Sequence, residues 1–407
     1  PGVPLVKVNA DCVNGKELVS LEQERLVDQR PRAKPEQWQI PVSLLLRNES
    51  NAVLQTLLVQ KSNSVALAGC GIVKANAGDT GYYRVWYAPA VFEKLRQSIH
   101  ELPLADRFNL LDDCWAMVEA DRTGIENYFA LADSLQDESA NAIWDEIIGT
   151  LDYLDDFELN RPEHNAFGAC ARRLLQPQFQ RLGWQQKPGE SPNDTLLRGK
   201  IISALGHFGD EAVIKEAKAR FENFLARPES LPPDLRPAVM KIAGRYADQR
   251  IYDQIHELAR RTSSSEDRQL YYDALCRALD PNLARKTLAL SLTDETSPEE
   301  ATGLVTAVAS NAQHTGLAWD FARRHLRELL AKVDPFSRDS YVPSIFAAFS
   351  DDARANELET FVEKNLGSDA LDKARETASE IRFKARLKKR VLPGIDQWVA
   401  TQLSNAK

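Results

Sequence analysis

Gly81-Tyr82-Tyr83-Arg84-Val85-Trp86-Tyr87-Ala88-Pro89 is the stretch at which the character of this chain changes. Up to Tyr87 the apolar residues come in short β-rich runs. From Pro89 onward their period lengthens from two to about 3.6, the spacing of one helical face. A fold built of two parts follows: a small β-rich segment over residues 1–88 and a long helical one over residues 89–407.

Working upstream, Gly78-Asp79-Thr80-Gly81 supplies the turn before the last strand. Val3 to Val8 and Leu18-Val19-Ser20-Leu21 flank the turn dipeptide Asn14-Gly15, which reads as a hairpin. Trp38 to Leu44 alternates in part, and its Pro41 fits an edge strand or a bulge, because proline has no N–H for a ladder. Val53 to Val59 and Ser64 to Leu67 are further short runs. Many short strands with close turns predict an all-β sandwich, too small to be stable without leaning on a neighbour.

Downstream, Phe108, Leu111, Trp115 and Val118 share one helical face, with Leu110, Cys114 and Met117 beside them. Leu283, Ala284, Thr287, Leu288 and Ser291 form a weaker stripe. Helix starts are marked by Asp280-Pro281, by the capping box Ser297-Pro298-Glu299-Glu300 and by Asp334-Pro335. One helical segment follows another, joined by short polar turns. Helix pairs of roughly 40 residues would give about eight units, the spacing of HEAT-like arrays. The fold class is therefore mainly α, a HEAT/armadillo-like superhelix behind a β-sandwich, with an irregular bundle as the alternative. A superhelix offers a concave face that can wrap a partner or roof a cavity.

Bulk properties narrow the function. The 407 residues carry a net charge of −8, which argues against a general nucleic-acid binder. No apolar run is long enough for a membrane span, and no signal-peptide pattern is read, which for an excised segment says little about the parent's compartment. The chain opens on Pro1-Gly2 without an initiator Met, which reads as a segment of a longer polypeptide. Cys12, Cys70, Cys114, Cys170 and Cys276 are scattered and read as buried small hydrophobes in a reduced protein. The count also leaves room for one disulfide, of which Cys12–Cys70 is an example. A soluble protein is expected, with the cytoplasm favoured and the periplasm as second choice.

A zinc peptidase needs H-E-x-x-H on a helix, because His at i and i+4 point the same way. The nearest string, His256-Glu257-Leu258-Ala259-Arg260, puts a permanent cation at the second ligand position. His100, His164, His207, His314 and His325 lack ligand spacing and read as surface or satisfied core residues. Nucleophile elbows and phosphate loops are absent, and Cys114 and Cys276 sit on apolar faces where thiols are inert. Asp112-Asp113 and the group Asp152, Asp155, Asp156 and Glu158 read as structural carboxylates, since neighbours on a helix diverge. The basic run Arg382 to Arg390 is interrupted by Phe383 and Leu387 and reads as an amphipathic helix with a basic solvent face. Turned inward, that face would attract a carboxylate.

Several motifs together resemble the third and fourth domains of the gluzincin (M1-family) zinc aminopeptidases. Pro1-Gly2-Val3-Pro4, Leu21-Glu22-Gln23-Glu24-Arg25 and Trp38-Gln39-Ile40-Pro41-Val42 are similar to that family's β-sandwich strands. Gly81 to Tyr87 resembles its G-Y-Y-R-V-x-Y strand. Asp106-Arg107 with Leu110-Leu111-Asp112-Asp113 looks like its D-R-x-x-L-L-x-D helix. Leu182-Gly183-Trp184 with Leu196-Leu197-Arg198, then Ala274-Leu275-Cys276-Arg277, Gly316 to Phe321 and the segment around Trp398 continue the likeness in order. The family's G-A-M-E-N and H-E-x-x-H motifs do not occur here, which by resemblance places them upstream of Pro1. The resemblance implies a non-catalytic region, without zinc of its own, that caps the active site of an upstream zinc-bearing catalytic domain and shapes a cavity for peptide substrates. It also implies that Arg277 lines that cavity and meets the substrate's C-terminal carboxylate, a planar fork on a planar anion. The plainer reading of Arg277 is a salt bridge between helices. A stand-alone HEAT-like binding scaffold is the competing identity for the whole chain.

Overall fold

A computed structural model describes residues 2–26, 36–49 and 51–404; Pro1 of the opening motif lies outside them. The strands are β1 (Val3–Val13), β2 (Lys16–Leu26), β3 (Ile40–Arg47), β4 (Ala52–Leu58), β5 (Ser62–Ala68), β6 (Ile72–Ala75) and β7 (Arg84–Tyr87). The helices that follow are α1 (Pro89–Gln97), α2 (Leu104–Glu119), α3 (Ile125–Asp133), α4 (Asn141–Glu158), α5 (His164–Leu182), α6 (Pro192–His207), α7 (Glu211–Ala226) and α8 (Arg236–Arg245). They continue with α9 (Gln249–Arg261), α10 (Ser265–Leu275), α11 (Pro281–Leu290), α12 (Pro298–Ser310), α13 (Thr315–Arg324), α14 (Leu326–Lys332), α15 (Arg338–Phe346), α16 (Asp352–Asn365) and α17 (Ser368–Ser404). The chain is mainly helical behind a β-rich start, and the last strand ends and the first helix begins on either side of Ala88. No helix of the described residues is long and apolar enough to cross a membrane. The chain divides into two compact units, residues 1–149 and 150–407. The change of secondary structure at Pro89 and the change of packing at Gly149 are thus different boundaries, because α1 and α2 pack against β1, β6 and β7 in the first unit.

The first unit holds two sheets, ordered β5-β2-β1-β7 and β4-β3-β6. The β1–β2 hairpin turns at Asn14 and Gly15, both at positive φ (51° and 72°), as a two-residue hairpin turn that follows the strand twist requires. β3, with Pro41, is the middle strand of its sheet and not an edge strand. β6 pairs only with Leu44–Arg47, so the strand is one-sided at Pro41, where the missing N–H costs no ladder bond. The strand β6 has four residues, too few to show a period in the sequence.

One cation organises this unit. Lys74 of β6 is fully buried. Its Nζ donates to Asn109 Oδ1 and to Ala75 O, both at 2.6 Å, and lies 3.7 Å from Asp106 Oδ1. Asp106 also accepts from Gly78 N at 2.7 Å, closing the turn before β7. Further along α2, Asp113 accepts from Val85 N at 3.2 Å, and Arg84 of β7 reaches both Asp112 and Asp113. Burial lowers the Lys74 pKa and raises that of Asp113 to about 7; the charges of Asp106, Arg84 and Lys74 itself oppose both shifts. Lys74→Ala leaves Asp106 without its cation in a dry site and leaves Asp113 with Arg84 alone. It should destabilise the chain by roughly 3–5 kcal/mol in denaturant unfolding, and a loss no larger than that of a surface lysine would remove Lys74 from this role.

Cys12, beside the β1–β2 turn, is bonded to Cys70 between β5 and β6. Cys114, Cys170 and Cys276 are buried free thiols, so the reading as small hydrophobes holds for these three, while Cys12 is exposed and bonded. Burial raises the pKa of Cys114 and Cys276, which keeps both inert. Thiol titration of the unreduced, denatured chain should find the three free cysteines, rising after reduction to the five in the sequence; five before reduction would refute the pairing.

In the second unit the helices from α5 to α16 pack mainly on helices one or two places away in sequence, the contact pattern of a stacked array. The stripe Leu283, Ala284, Thr287, Leu288 and Ser291 is buried. Asp280 caps α11 through Asn282 N at 2.7 Å, and Ser297 and Glu300 form the capping box of α12. Asp334-Pro335 does not start a helix. Asp334 Oδ1 accepts from Phe336 N (2.9 Å) and Ser337 N (3.1 Å), a turn that delays α15 to Arg338. The 37-residue α17 breaks the local pattern by packing on α15 and α16 and then returning to α5.

Candidate functional site

The basic run of α17 forms a helix as its spacing predicts, with Ile381, Leu387 and Val391 buried. Its cations do not all face solvent. Arg382 forms a fork on Glu359 (3.0 and 2.7 Å) and bonds Asn356, while Lys384 donates to Ala347 O at 2.7 Å and lies over the Tyr153 ring. Past Pro393, Asp396 accepts two bonds from Arg161 (3.0 and 2.9 Å), and Trp398 meets Phe167 edge-on. Arg161 also bonds the fully buried Glu158 at 2.6 Å. The three carboxylates Glu158, Glu163 and Asp396 therefore surround a guanidinium, which occupies the place a metal ion would need.

The carboxylates of α4 converge with two histidines that lie far apart in sequence. Asp155 is buried, and its two oxygens accept from His164 Nε2 (2.9 Å) and His207 Nε2 (3.1 Å). These are the first residue of α5 and the last of α6, so one carboxylate ties three helices. Both Asp155 oxygens are occupied in this way, and the arrangement is a bracket, not an open ligand set. Burial would raise Asp155, but the two imidazole bonds and charges outweigh it and hold its pKa well below the ordinary range. The bond to Asp155 raises His164. Burial, reinforced by the charge of Asp155, raises Asp156 to about 6.

Asp152, one turn earlier, is half-exposed, yet its Oδ1 is shut from solvent without a hydrogen-bond partner and lies 3.9 Å from His207 Nε2. Burial raises it, while His207, Arg277 and Arg245 pull it down. Arg277 stands just past α10 and is exposed. Its side chain makes no hydrogen bond or ion pair with any described residue, so the interhelical salt bridge is not formed.

His256 Nε2 meets Glu295 Oε1 at 2.5 Å, Tyr272 O–H donates to the same oxygen at 3.1 Å, and Arg260 lies 3.8 Å from Glu295. With its Nε2 engaged and a guanidinium at the second position, this string does not fit zinc. Asp112 and Asp113 diverge as neighbours do, but both are reached by Arg84. Cys12 and Cys70, near Glu17, spend both sulfurs on each other. His100, His314 and His325 each find a partner, in Ser134 O, Ala278 O and Glu328 respectively.

The sign of the pH dependence follows from the His164–Asp155 pair. Asp155, depressed on folding, contributes stability above the unfolded value of about 3.9 and loses it as pH falls through the folded value. His164, raised on folding, contributes below about 6.5 and loses its share as pH rises through its folded value. The pair therefore contributes fully between about pH 4 and 6.5. Asp155→Asn should lower Tm most in that window and flatten the fall in stability on either side of it; an unchanged profile would show that the bracket carries no such weight.

Residues 72–381 match the sequence profile of the ERAP1-like C-terminal domain. The chain is 26% identical to aminopeptidase M1 of Arabidopsis thaliana over 405 residues, covering 89% of this chain and 45% of that protein. It is 25% identical to the puromycin-sensitive aminopeptidase of Caenorhabditis elegans over 377 residues (88% and 39%). Against aminopeptidase M1-A of Oryza sativa subsp. japonica it is 30% identical over 259 residues (61% and 29%). The chain thus spans less than half the length of these relatives. By fold, by matched residues and by these relatives, this chain belongs to the ERAP1-like C-terminal domain family, the C-terminal portion of M1-family aminopeptidases.

Proposed function

We propose that this chain is the non-catalytic C-terminal region of a zinc-dependent aminopeptidase, capping the active site of an upstream catalytic domain and shaping the cavity for peptide substrates. The functional division is residues 1–88 as a β-sandwich and 89–407 as the helical domain. Family membership over most of the chain carries this reading. The exposed, unpaired Arg277 adds to it. A guanidinium at the surface of a helical array, with its fork unused, suits the C-terminal carboxylate of a peptide held for removal of its first residue. Peptide length would be sensed by whether the tail reaches Arg277 while the amino end sits in the catalytic domain. Zinc supplies carbonyl polarisation and an activated water in such enzymes. The near match at His256 does not fit it, so the metal is assigned to the upstream domain.

The net charge of −8 argues against nucleic acid as a partner. The Cys12–Cys70 bond favours an oxidising compartment such as the periplasm, because thiols in the cytosol are kept reduced.

Aminopeptidase activity and bound zinc should be measured on this chain and on the polypeptide extended upstream through its gene. The expected result is an inert, zinc-free chain and an active extended protein holding about one zinc. Stoichiometric zinc and cleavage by this chain alone would overturn the proposal. A gene that encodes nothing upstream would favour the stand-alone HEAT-like scaffold. In the active protein, Arg277→Ala should raise KM for peptides and spare short chromogenic amides; equal effects on both would remove Arg277 from the tail site.

A further inference from the structure

The disulfide between Cys12 and Cys70 lies beside a carboxylate that is only half satisfied. Glu17 is buried, with 1% of its surface exposed. Its Oε2 accepts from Gly71 N at 3.1 Å, while its Oε1 is shut from solvent with no hydrogen-bond partner. A buried carboxylate oxygen left bare is costly, since nothing replaces the water it gave up. Such an oxygen points to a ligand that it would meet.

Three stretches of backbone bring the group together, and none depends on the sulfur–sulfur bond. Cys12 and Glu17 stand directly opposite each other in the β1–β2 ladder, so their side chains leave the same face. Glu17 N donates to Gly69 O at 2.9 Å and Gly69 N to Gly15 O at 3.1 Å, which fastens the chain just before Cys70 to the β1–β2 turn. The Glu17 side chain holds Gly71, just after it. At Gly71 the chain passes so close to β3 that a methyl group built there would lie 2.2 Å from Arg47 O. Cys70 is thus clamped on both sides. Both sulfurs and a Glu17 carboxylate oxygen lie within 4.8 Å of one another. Cys12 is exposed and Cys70 half-buried, so a reductant and an ion have a way in from solvent.

We infer that Cys12, Cys70 and Glu17 form a redox-gated site for a thiophilic divalent cation, namely zinc, which is closed while the disulfide stands and opened by its reduction. A dithiol supplies the electrons. Its thiolate attacks the exposed Cys12 sulfur, the Sγ–Sγ bond breaks, and Cys70 leaves as thiolate. The second thiol of the reductant then displaces Cys12 and departs as a disulfide, so two electrons have passed to the cysteine pair. Zinc takes the place of the proton on each thiol, and both protons go to solvent. The ion is held by two sulfurs and the Glu17 oxygen, with water in the fourth tetrahedral position. Sulfur selects zinc over magnesium and calcium, which prefer oxygen alone. The backbone clamps keep the sulfurs side by side once their bond is gone, so the ligands are positioned before the ion arrives. The unreduced chain stays free of zinc, as the proposed function expects, and the two readings therefore fail separately.

Cobalt(II) reports such a site, because a cobalt–thiolate bond absorbs in the near ultraviolet and a tetrahedral cobalt ion absorbs strongly in the visible. The 407-residue chain is reduced with a phosphine, freed of it under nitrogen, and titrated with cobalt and then zinc. The reduced chain should take up about one cobalt with both absorptions, and zinc should bleach them. The unreduced chain should show neither. Cys12→Ser and Cys70→Ser should each lose the stoichiometric signal, although Cys114, Cys170 and Cys276 remain. Glu17→Gln should keep the sulfurs but weaken cobalt affinity at least about tenfold, with circular dichroism to check its fold. Zinc should raise Tm of the reduced chain and not of the unreduced one, which tests the site without any variant. A reduced chain whose cobalt absorption is no stronger than that of Cys12→Ser, or whose Tm zinc leaves unmoved, overturns the site. A folded Glu17→Gln that binds as tightly as the unaltered chain removes the third ligand and the inference with it.

Discussion

A lysine ammonium with no exposed surface holds the first unit together, and much else in that unit is arranged to make it tolerable. An isolated buried cation would cost several kcal/mol. Lys74 is instead met by Asn109, by a backbone carbonyl and by the charge of Asp106, and all but the carbonyl come from α2. Because α2 must supply these groups, its position relative to β6 is set. Because α2 also carries Asp112 and Asp113, the strand β7 is held through Arg84 and Val85 N. The polar groups thus decide how strand and helix meet, while the apolar residues around them supply the bulk of the favourable burial.

The motifs read separately along the chain turn out to be halves of contacts. Gln23, in the Leu21 to Arg25 strand, exchanges bonds with the backbone of Trp38, which opens the Trp38 to Val42 motif (2.9 and 2.8 Å). Arg84 of the tyrosine-rich strand pairs with the aspartates of α2. Arg198 is buried, pairs with Glu190 and reaches Leu182 O at 3.4 Å, joining the Leu182-Gly183-Trp184 turn to the helix that carries it. The buried Trp319 donates to Glu357 Oε1 at 2.7 Å. Each is a polar contact across a sequence gap with at least one buried partner, which substitution of the other would strand.

In the second unit the decisive contact is the return of α17 to α5. A stacked array has two ends, and each exposes an apolar face unless something covers it. Arg161, Phe167 and Cys170 on one side, and Asp396, Trp398 and Val399 on the other, close the array upon itself. The His164–Asp155–His207 bracket lies in this same unit. A closed framework suits such a bracket, because loose helices would let the imidazoles part from the carboxylate.

Periodicity and capping chemistry are local, and the sequence alone determined what depends on them: a β-rich start, the switch at Pro89, the buried stripe of α11 and the starts of α11 and α12. Local signals also misled where context ruled. Asp334-Pro335 has the residues of a helix start but makes a turn, and Pro41 sits in a middle strand because its second neighbour stops short of it. Arg277 was legible as a candidate through likeness to a family alone, since one arginine after a helix carries no signal of its own. Only the tertiary structure decided that Asp155 joins two distant histidines and that Cys12 meets Cys70. The physical reason is the same in each case. Charge and hydrogen-bond partnership depend on distance in space, and a sequence states distance only along the chain.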